Sequence, residues 1–435
     1  MATMAASPVR SDAMTGEQRM VIFASSLGTV FEWYDFYIYG TLAAILAGKF
    51  FSGVAPTAAF IFTLLAFAAG FAVRPFGALF FGRLGDLIGR KYTFLVTMTL
   101  MGFGTFLIGL LPTYGQIGIW APALLVVLRF IQGIGLGGEW GGASLMVLEH
   151  APSDRRGFYG SLVQVGFPLG LVTSSGVFAI VTLLPEDQFL AWGWRIPFLI
   201  SIVLVALGAF IRARIPETPV FEAIKAKQDL SSNPFYEAVF KSPRAFLVAL
   251  GLKLSEVSWV YMLTVFVVVY ATTKLALPRT LLLDAIFWAA VIEVATIPLF
   301  GYLTDKIGRR PFYFAGVIFT IAFAFPLFWL LDMKTPWIVM TAVIVALNFG
   351  HGLMFAPESA YFPELFGARV RYSGASFGFQ ASAAIGGGFA PIIATALAAY
   401  MGGTAGVSLM LILLALITLV ATFFAHETKD DPLLK

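Results

Sequence analysis

The stretch GRLGDLIGRK at positions 82–91 returns later in the chain as GYLTDKIGRR at positions 301–310. Gly82/Gly301, Leu84/Leu303, Asp86/Asp305, Ile88/Ile307, Gly89/Gly308 and Arg90/Arg309 all match at one offset of 219. A second echo sets EHAPSDRRGFYGS (149–161) against ELFGARVRYSGAS (364–376), with Glu149/Glu364, Arg156/Arg371 and Ser161/Ser376 at an offset of 215. Offsets of about half the 435-residue chain describe two like halves in parallel orientation, related by a pseudo-two-fold axis with a cavity between them. Within the repeated loop, glycines permit a tight turn, the aspartate can accept backbone N–H groups at a helix start, and the arginine can pair with an acid.

What surrounds these loops is apolar. Hydrophobic types make up 59% of the residues and charged types 12%, with a mean hydropathy of +0.88, against about 25% charged in a soluble domain. That composition excludes both a water-soluble globule and a disordered chain. Twelve stretches are long enough to span a bilayer as helices: 20–47, 57–82, 93–112, 121–148, 157–184, 190–212, 245–272, 281–303, 312–331, 335–358, 371–400 and 404–425. None alternates as barrel strands would. The expected fold is an all-α membrane protein with a six-helix bundle at 20–212 and another at 245–425. A polar cytoplasmic linker at 213–244 joins them, with a cytoplasmic segment at 1–19 before the first bundle and a cytoplasmic tail at 426–435 after the second.

The basic residues orient this arrangement. With the N-terminus in the cytoplasm, Arg83, Arg90, Lys91, Arg155, Arg156, Arg214, Lys306, Arg309, Arg310, Arg369 and Arg371 all fall on cytoplasmic loops. The opposite face keeps only Lys49, Arg195, Lys274, Arg279 and Lys334, so both termini are expected in the cytoplasm. The first nineteen residues lack the apolar core of a cleavable signal. There is no cysteine and there are three histidines, which speaks against a metal centre; no metal and no cofactor is expected.

Several motifs carry a family resemblance. The loop at 82–91 resembles the signature between helices two and three of the major facilitator superfamily, and RFIQGIGLGGEWGGA at 129–143 resembles its fourth-helix signature. FEWYDFYIYG (31–40), RPFGALFFGRLGD (74–86), WGWRIPF (192–198), IPETPVF (215–221) and YFPELFGARVRYSGASFGFQ (361–380) resemble the metabolite:proton symporter family. The resemblance implies alternating access and a substrate that is either an organic acid, such as oxoglutarate, citrate, shikimate or an aromatic acid, or a zwitterionic osmolyte such as proline or betaine. The short tail ETKDDPLLK (427–435) departs from the long C-terminal coiled coil of some osmosensing members, which weakens the osmolyte option.

Charges within the spans are candidates for function because each costs at least about 2.5–3.5 kcal/mol on insertion scales. Glu32 and Asp35 share a face of the first span, which Tyr39 continues. Arg129 and Gln132 share a face of the fourth. At about 1.5 Å rise per residue, Asp35 and Arg129 fall at similar depths. The resemblance implies that a first-helix acid and a fourth-helix arginine couple protons, a role that falls here to Asp35 and Arg129, with Glu32 beside them. Arg129 also suits a substrate carboxylate through its planar fork. The three glycines Gly133, Gly137 and Gly141 form a ridge for close helix packing, and Glu139 lies among them as a structural acid or a second proton site.

The expected substrate-binding set comprises Arg129, Gln132, Tyr39, Gln164, Lys253, Glu256, Asn348, His351 and Gln380. Lys253 and Glu256 pair with each other or face the cavity; Glu293 lies midway along the eighth span and Glu358 near the end of the tenth. A cytoplasmic gate is expected from Asp86, Arg90, Glu149, Asp305, Arg309 and Glu364. The chain contains no nucleophile elbow and no phosphate-binding Gly-Lys-Ser/Thr loop, which speaks against an enzyme. The expectation is a proton-coupled symporter for a small organic anion in a bacterial-type inner membrane. Its partners are that anion, protons and lipid, with no nucleic acid, and it works as a monomer. A zwitterion carrier, an exporter or an uncoupled facilitator is the alternative.

Overall fold

Thr15 opens the first helix with a capping box: its hydroxyl accepts the Gln18 N–H while the Gln18 side chain accepts the Thr15 N–H. From there helix α1 runs over Gly16–Phe50. The computed structural model describes residues 14–434, so most of the expected 1–19 segment and the last residue of the tail lie outside it. Helix α2 is Pro56–Ala72, continued after Val73 as Arg74–Ile88. The break falls where Pro75 lacks an N–H and crowds the preceding turn. The helix therefore runs six residues beyond the expected end at 82. Then come α3 (Arg90–Leu110), α4 (Trp120–His150), α5 (Arg156–Val181) and α6 (Ile196–Ala213).

The second half comprises α7 (Pro243–Thr273), α8 (Arg279–Ile307), α9 (Arg309–Asp332), α10 (Pro336–Glu364), α11 (Arg371–Tyr400) and α12 (Ala405–Phe424). Among the described residues, ten helices are long and apolar enough to cross a membrane. The sixth span starts at Ile196, not 190, because Glu186–Ala191 and Gly193–Arg195 form separate turns. Arg195 in that turn donates from Nη1 to the carbonyls of Gly109 and Leu111, at 2.7 Å each, and so closes the C-terminal end of α3. The segment between the halves contains a helix of its own, Pro219–Ala226, whose Val220 and Ile224 pack with Ala368.

The two halves dock reciprocally. The second segment of α2 packs on α11, and α8 packs on α5, so the second helix of each half lies on the fifth helix of the other. Glycine permits the closest approaches. A Cβ on Gly133 would stand 2.1 Å from the Gly70 carbonyl oxygen, and one on Gly137 2.2 Å from that of Arg74, which fixes α4 against α2. Gly141 instead faces Ser376 of the opposite half. Large side chains such as Phe76, Trp288, Trp329 and Phe424 point outward, as a lipid-facing surface requires.

Candidate transport site

In the first half, four helices place polar groups at mid-depth. Arg129 of α4 reaches Asp35 of α1, with Nη1 3.2 Å from Oδ2. Gln132, one turn further along α4, donates from Nε2 to Asp35 Oδ1 at 3.3 Å and to the Thr105 hydroxyl of α3 at 2.7 Å. The Arg129 guanidinium lies 3.7 Å from the centre of the Tyr39 ring, whose hydroxyl donates to the Thr63 carbonyl of α2. Glu32, a turn before Asp35, stands 4.0 Å from Arg74 at the α2 break. All of these side chains are buried. Arg129 Nε and Nη2 and Gln132 Oε1 have no hydrogen-bond partner among the described residues. Both residues line a cavity of about 10 Å³, together with Asp35, Arg74 and Phe71, which is room for about one water.

The second half holds a denser cluster. Lys253 of α7 pairs with Glu256 one turn along and with Glu358 of α10, 2.7 Å away. His351 sits in a π-helical turn of α10, Ala346–His351, between two acids. Its Nε2 is 3.0 Å from Glu256 Oε1 and its Nδ1 2.8 Å from Glu293 Oε1 of α8. Tyr313 of α9 donates to Glu358 Oε1 at 3.4 Å. The halves meet through a mirrored pair of glutamines. Gln164 of α5 donates to the Phe355 carbonyl of α10 at 3.0 Å, and Gln380 of α11 donates to the Leu136 carbonyl of α4 at 3.3 Å.

At the end of the bundle that carries the repeated loops, charges lock the halves together. Asp86 accepts the N–H groups of Tyr372 (3.2 Å) and Ser373 (2.8 Å) in the first turn of α11. Asp305 accepts those of Gly157 (2.7 Å) and Phe158 (2.8 Å) in the first turn of α5. Carboxylates at helix N-termini are favoured by the exposed donors and the helix dipole. Arg90 lies 3.4 Å from Asp86 and 3.8 Å from Glu149, and it donates across the interface to the Ala368 carbonyl at 2.8 Å. Arg309 bridges Asp305 (2.8 Å) and Glu364 (3.4 Å), and Arg371 reaches Glu149 (3.2 Å). The described conformation is closed at this end.

The profile of the Major Facilitator Superfamily matches residues 25–387 and, overlapping, 282–434. This chain belongs to that superfamily. The transporter is 41% identical to the shikimate transporter of Escherichia coli (strain K12), over 88% of this chain and 89% of that one. It is 35% identical to the proline/betaine transporter of Salmonella typhimurium, over 96% of this chain and 85% of that one. The solved structure of a proton:xylose symporter superposes with a TM-score of 0.76 at 16% identity, covering 96% of this chain and 98% of the symporter. These matches place the chain among multi-pass membrane carriers of metabolites and not among enzymes.

The transporter brings Asp35, Arg129, Gln132 and Tyr39 together, with Glu32 on the neighbouring Arg74. Six residues expected to bind substrate are already engaged, Gln164 and Gln380 by the carbonyls of the opposite half. The charge of Lys253 is taken by Glu256 and Glu358, and His351 is held on both ring nitrogens by Glu256 and Glu293. Asn348 joins α10 to α8: its amide donates to the Ala289 and Ile344 carbonyls and accepts from Thr296. Glu358, expected near a helix end, is buried inside the Lys253 cluster because α10 continues to Glu364.

Sequence reasoning missed Arg74, Thr105 and Tyr313 as members of these networks. It also missed a third element of the repeat. Glu217 accepts the N–H groups of Arg90 and Lys91 at the start of α3, and Glu427 those of Arg309 and Arg310 at the start of α9. The available signal was the dipeptide Glu-Thr following each bundle, at 217–218 and 427–428.

Proposed function

We propose that this transporter is a proton-coupled symporter that takes up a small organic acid anion by alternating access. The observation that carries this reading is Arg129. It is buried, one nitrogen of its guanidinium is held by Asp35, and the other two have no partner among the described residues. Those donors suit a carboxylate, and the fork geometry of arginine favours one. A proton on Asp35 would release Arg129 to the anion, and the anion would in turn favour that proton, which couples the two fluxes. In this reading the Asp86 and Asp305 loops are a cytoplasmic gate, and both termini share that side. The 41% identity to a shikimate transporter supports an organic acid as cargo.

A second reading, a zwitterionic solute, has its own support. Among the groups described at mid-depth, Glu32, Asp35, Glu256, Glu293 and Glu358 outnumber Arg74, Arg129 and Lys253, which leaves room for a cation on the cargo. Uptake of shikimate, citrate, proline and betaine into cells producing the protein, with and without a protonophore, separates the readings. Accumulation of an organic acid that collapses with the protonophore is expected. Uptake indifferent to the protonophore would remove proton coupling, and uptake of betaine alone would replace the cargo.

A further inference from the structure

The Glu256–His351–Glu293 triad poses a counting problem that its geometry solves. Each ring nitrogen of His351 faces a carboxylate oxygen, Nε2 at 3.0 Å and Nδ1 at 2.8 Å. Each of those contacts needs a proton between nitrogen and oxygen. A neutral imidazole brings only one N–H, and its second nitrogen would present a lone pair to a carboxylate. The triad therefore holds one proton beyond the neutral histidine and two carboxylates, either on the ring or on one of the acids. The surroundings raise the demand. Even with His351 charged, Lys253 and His351 face three buried carboxylates, Glu256, Glu293 and Glu358. A net charge of that kind is costly in a low-dielectric interior. Glu293 Oε2 is buried with no hydrogen-bond partner among the described residues, an oxygen better suited to a neutral acid than to a carboxylate.

We propose that this triad is a second proton-carrying site, in the C-terminal half and separate from Asp35, so that one transport cycle moves two protons with each molecule of cargo. The inference rests on the symport reading above. The proton is taken from water on the side to which the site is open and released to water on the other. Only N–H and O–H bonds are exchanged. The site stands where access can alternate. His351 lies in the π turn of α10 and packs on Phe167 of α5 in the opposite half, with ring centres 4.9 Å apart. Phe167 in turn packs on Trp33 and Tyr37 of α1. Separation of the halves removes that aromatic cover and admits water. The titratable and charged groups facing the triad are Lys253 and Tyr261 of α7, Tyr313 of α9 and Glu358 of α10. Across the interface stand Tyr37 and Glu32 of α1, with Arg74 of α2 behind Glu32. None of these closes the contacts to both ring nitrogens.

The test uses purified full-length protein in liposomes with shikimate, a monoanion, as probe, and proline as the probe if shikimate is not carried. Opposing cargo and pH gradients are set until net flux vanishes, and the proton-to-cargo ratio is read from the balance. Wild type is expected to give a ratio of two, with positive charge entering alongside shikimate, so that an imposed potassium diffusion potential drives uptake. Glu293→Gln and His351→Gln are expected to give a ratio of one and uptake of shikimate blind to that potential, with uphill accumulation retained through Asp35. An unchanged ratio in both variants, or a wild-type ratio of one, overturns the second site. Infrared pH titration of the same liposomes without cargo supplies a readout that survives poor transport. A protonated-carboxyl carbonyl band or an imidazolium band at neutral pH, lost or shifted in both variants but kept in Asp35→Asn, is expected, and the absence of both from wild type overturns the proposal. Failure of wild type to couple either probe to protons defeats the symport reading instead, whatever the infrared band shows.

Discussion

Asp86 and Asp305 perform the same act on opposite halves: each carboxylate accepts two N–H groups from the first turn of the other half's fifth helix. The bonds exist only while the loop end is shut, so they stabilise one conformation over the other. Hydrogen bonds to a charged group are worth about 1.5–3 kcal/mol each. Asp86→Asn or Asp305→Asn should therefore shift the population toward the open loop end by at least about tenfold. Because the chain contains no cysteine, spin labels can be placed at Ile88→Cys and Ile307→Cys, both exposed, without further changes. The distance distribution between them should lengthen in either aspartate variant. An unchanged distribution would show that the interface closes without these caps.

Asp35 and Arg129 are both buried, and removing one leaves the other uncompensated at a cost of about 3–5 kcal/mol. Asp35→Asn alone should lower thermal stability and remove from the proton-to-cargo ratio the proton that Asp35 carries. Asp35→Asn with Arg129→Gln should recover most of the stability and not that proton. Arg129→Lys keeps the charge but loses the fork and the face that lies on Tyr39, so it should raise the cargo concentration needed for half-maximal uptake by about tenfold or more. Melting curves and uptake on the same preparations decide between coupling and a purely structural pair. An unchanged proton-to-cargo ratio in the double variant would end the coupling assignment.

The halves, the twelve spans and the loop charges were legible because they are local or repeated: apolar runs declare helices, and an offset of 219 aligns the two loops. The pairing of Asp35 with Arg129 was legible in depth alone, since rise per residue locates a side chain along a helix but not around it. Of the Lys253 cluster only the pair Lys253 and Glu256, one turn apart on α7, was legible; the rest was not. Its members come from α7, α8, α9 and α10, and no spacing in the chain encodes which faces those helices turn to one another. Asn348 illustrates the same limit, being one turn from His351 yet engaged with Ala289 and Thr296 and not with the triad. The Glu217 and Glu427 caps were hidden because only two adjacent residues repeat.

Gly308 turns with φ 112°, and a Cβ there would stand 2.5 Å from Glu427 Oε2, so the tail is seated on the loop it caps. Glu427 accepts from Arg309 N at 2.9 Å and Arg310 N at 3.0 Å, and Thr428 donates to Glu364 at 2.5 Å. Loss of a helix cap costs about 0.5–2 kcal/mol. Glu427→Ala should lower the melting temperature by a few degrees and, by loosening Arg309 and Glu364, lengthen the label distance between positions 88 and 307. Truncation after Ala425 should do both more strongly. A truncated protein that melts and closes like wild type would reduce the tail to a passive end.

Glu217 gives the loop end a dependence on pH. Burial raises its pKa above the ordinary carboxyl range, opposed by the N–H groups of Thr218 and Lys91 and the charge of Arg90. A raised value means that the folded protein holds this proton more tightly than the unfolded chain does. The contribution of Glu217 to stability is then fully present below the unfolded carboxyl pKa and is lost as pH rises through the folded one. Glu217→Gln, which cannot ionise, should flatten that part of the stability profile across the mildly acidic range. Melting temperatures of the two proteins, measured at a series of pH values in one detergent, should differ most on the neutral side and converge in acid. If the difference is instead constant with pH, the carboxylate of Glu217 is no more costly in the fold than in the open chain, and its N–H bonds fully offset its burial.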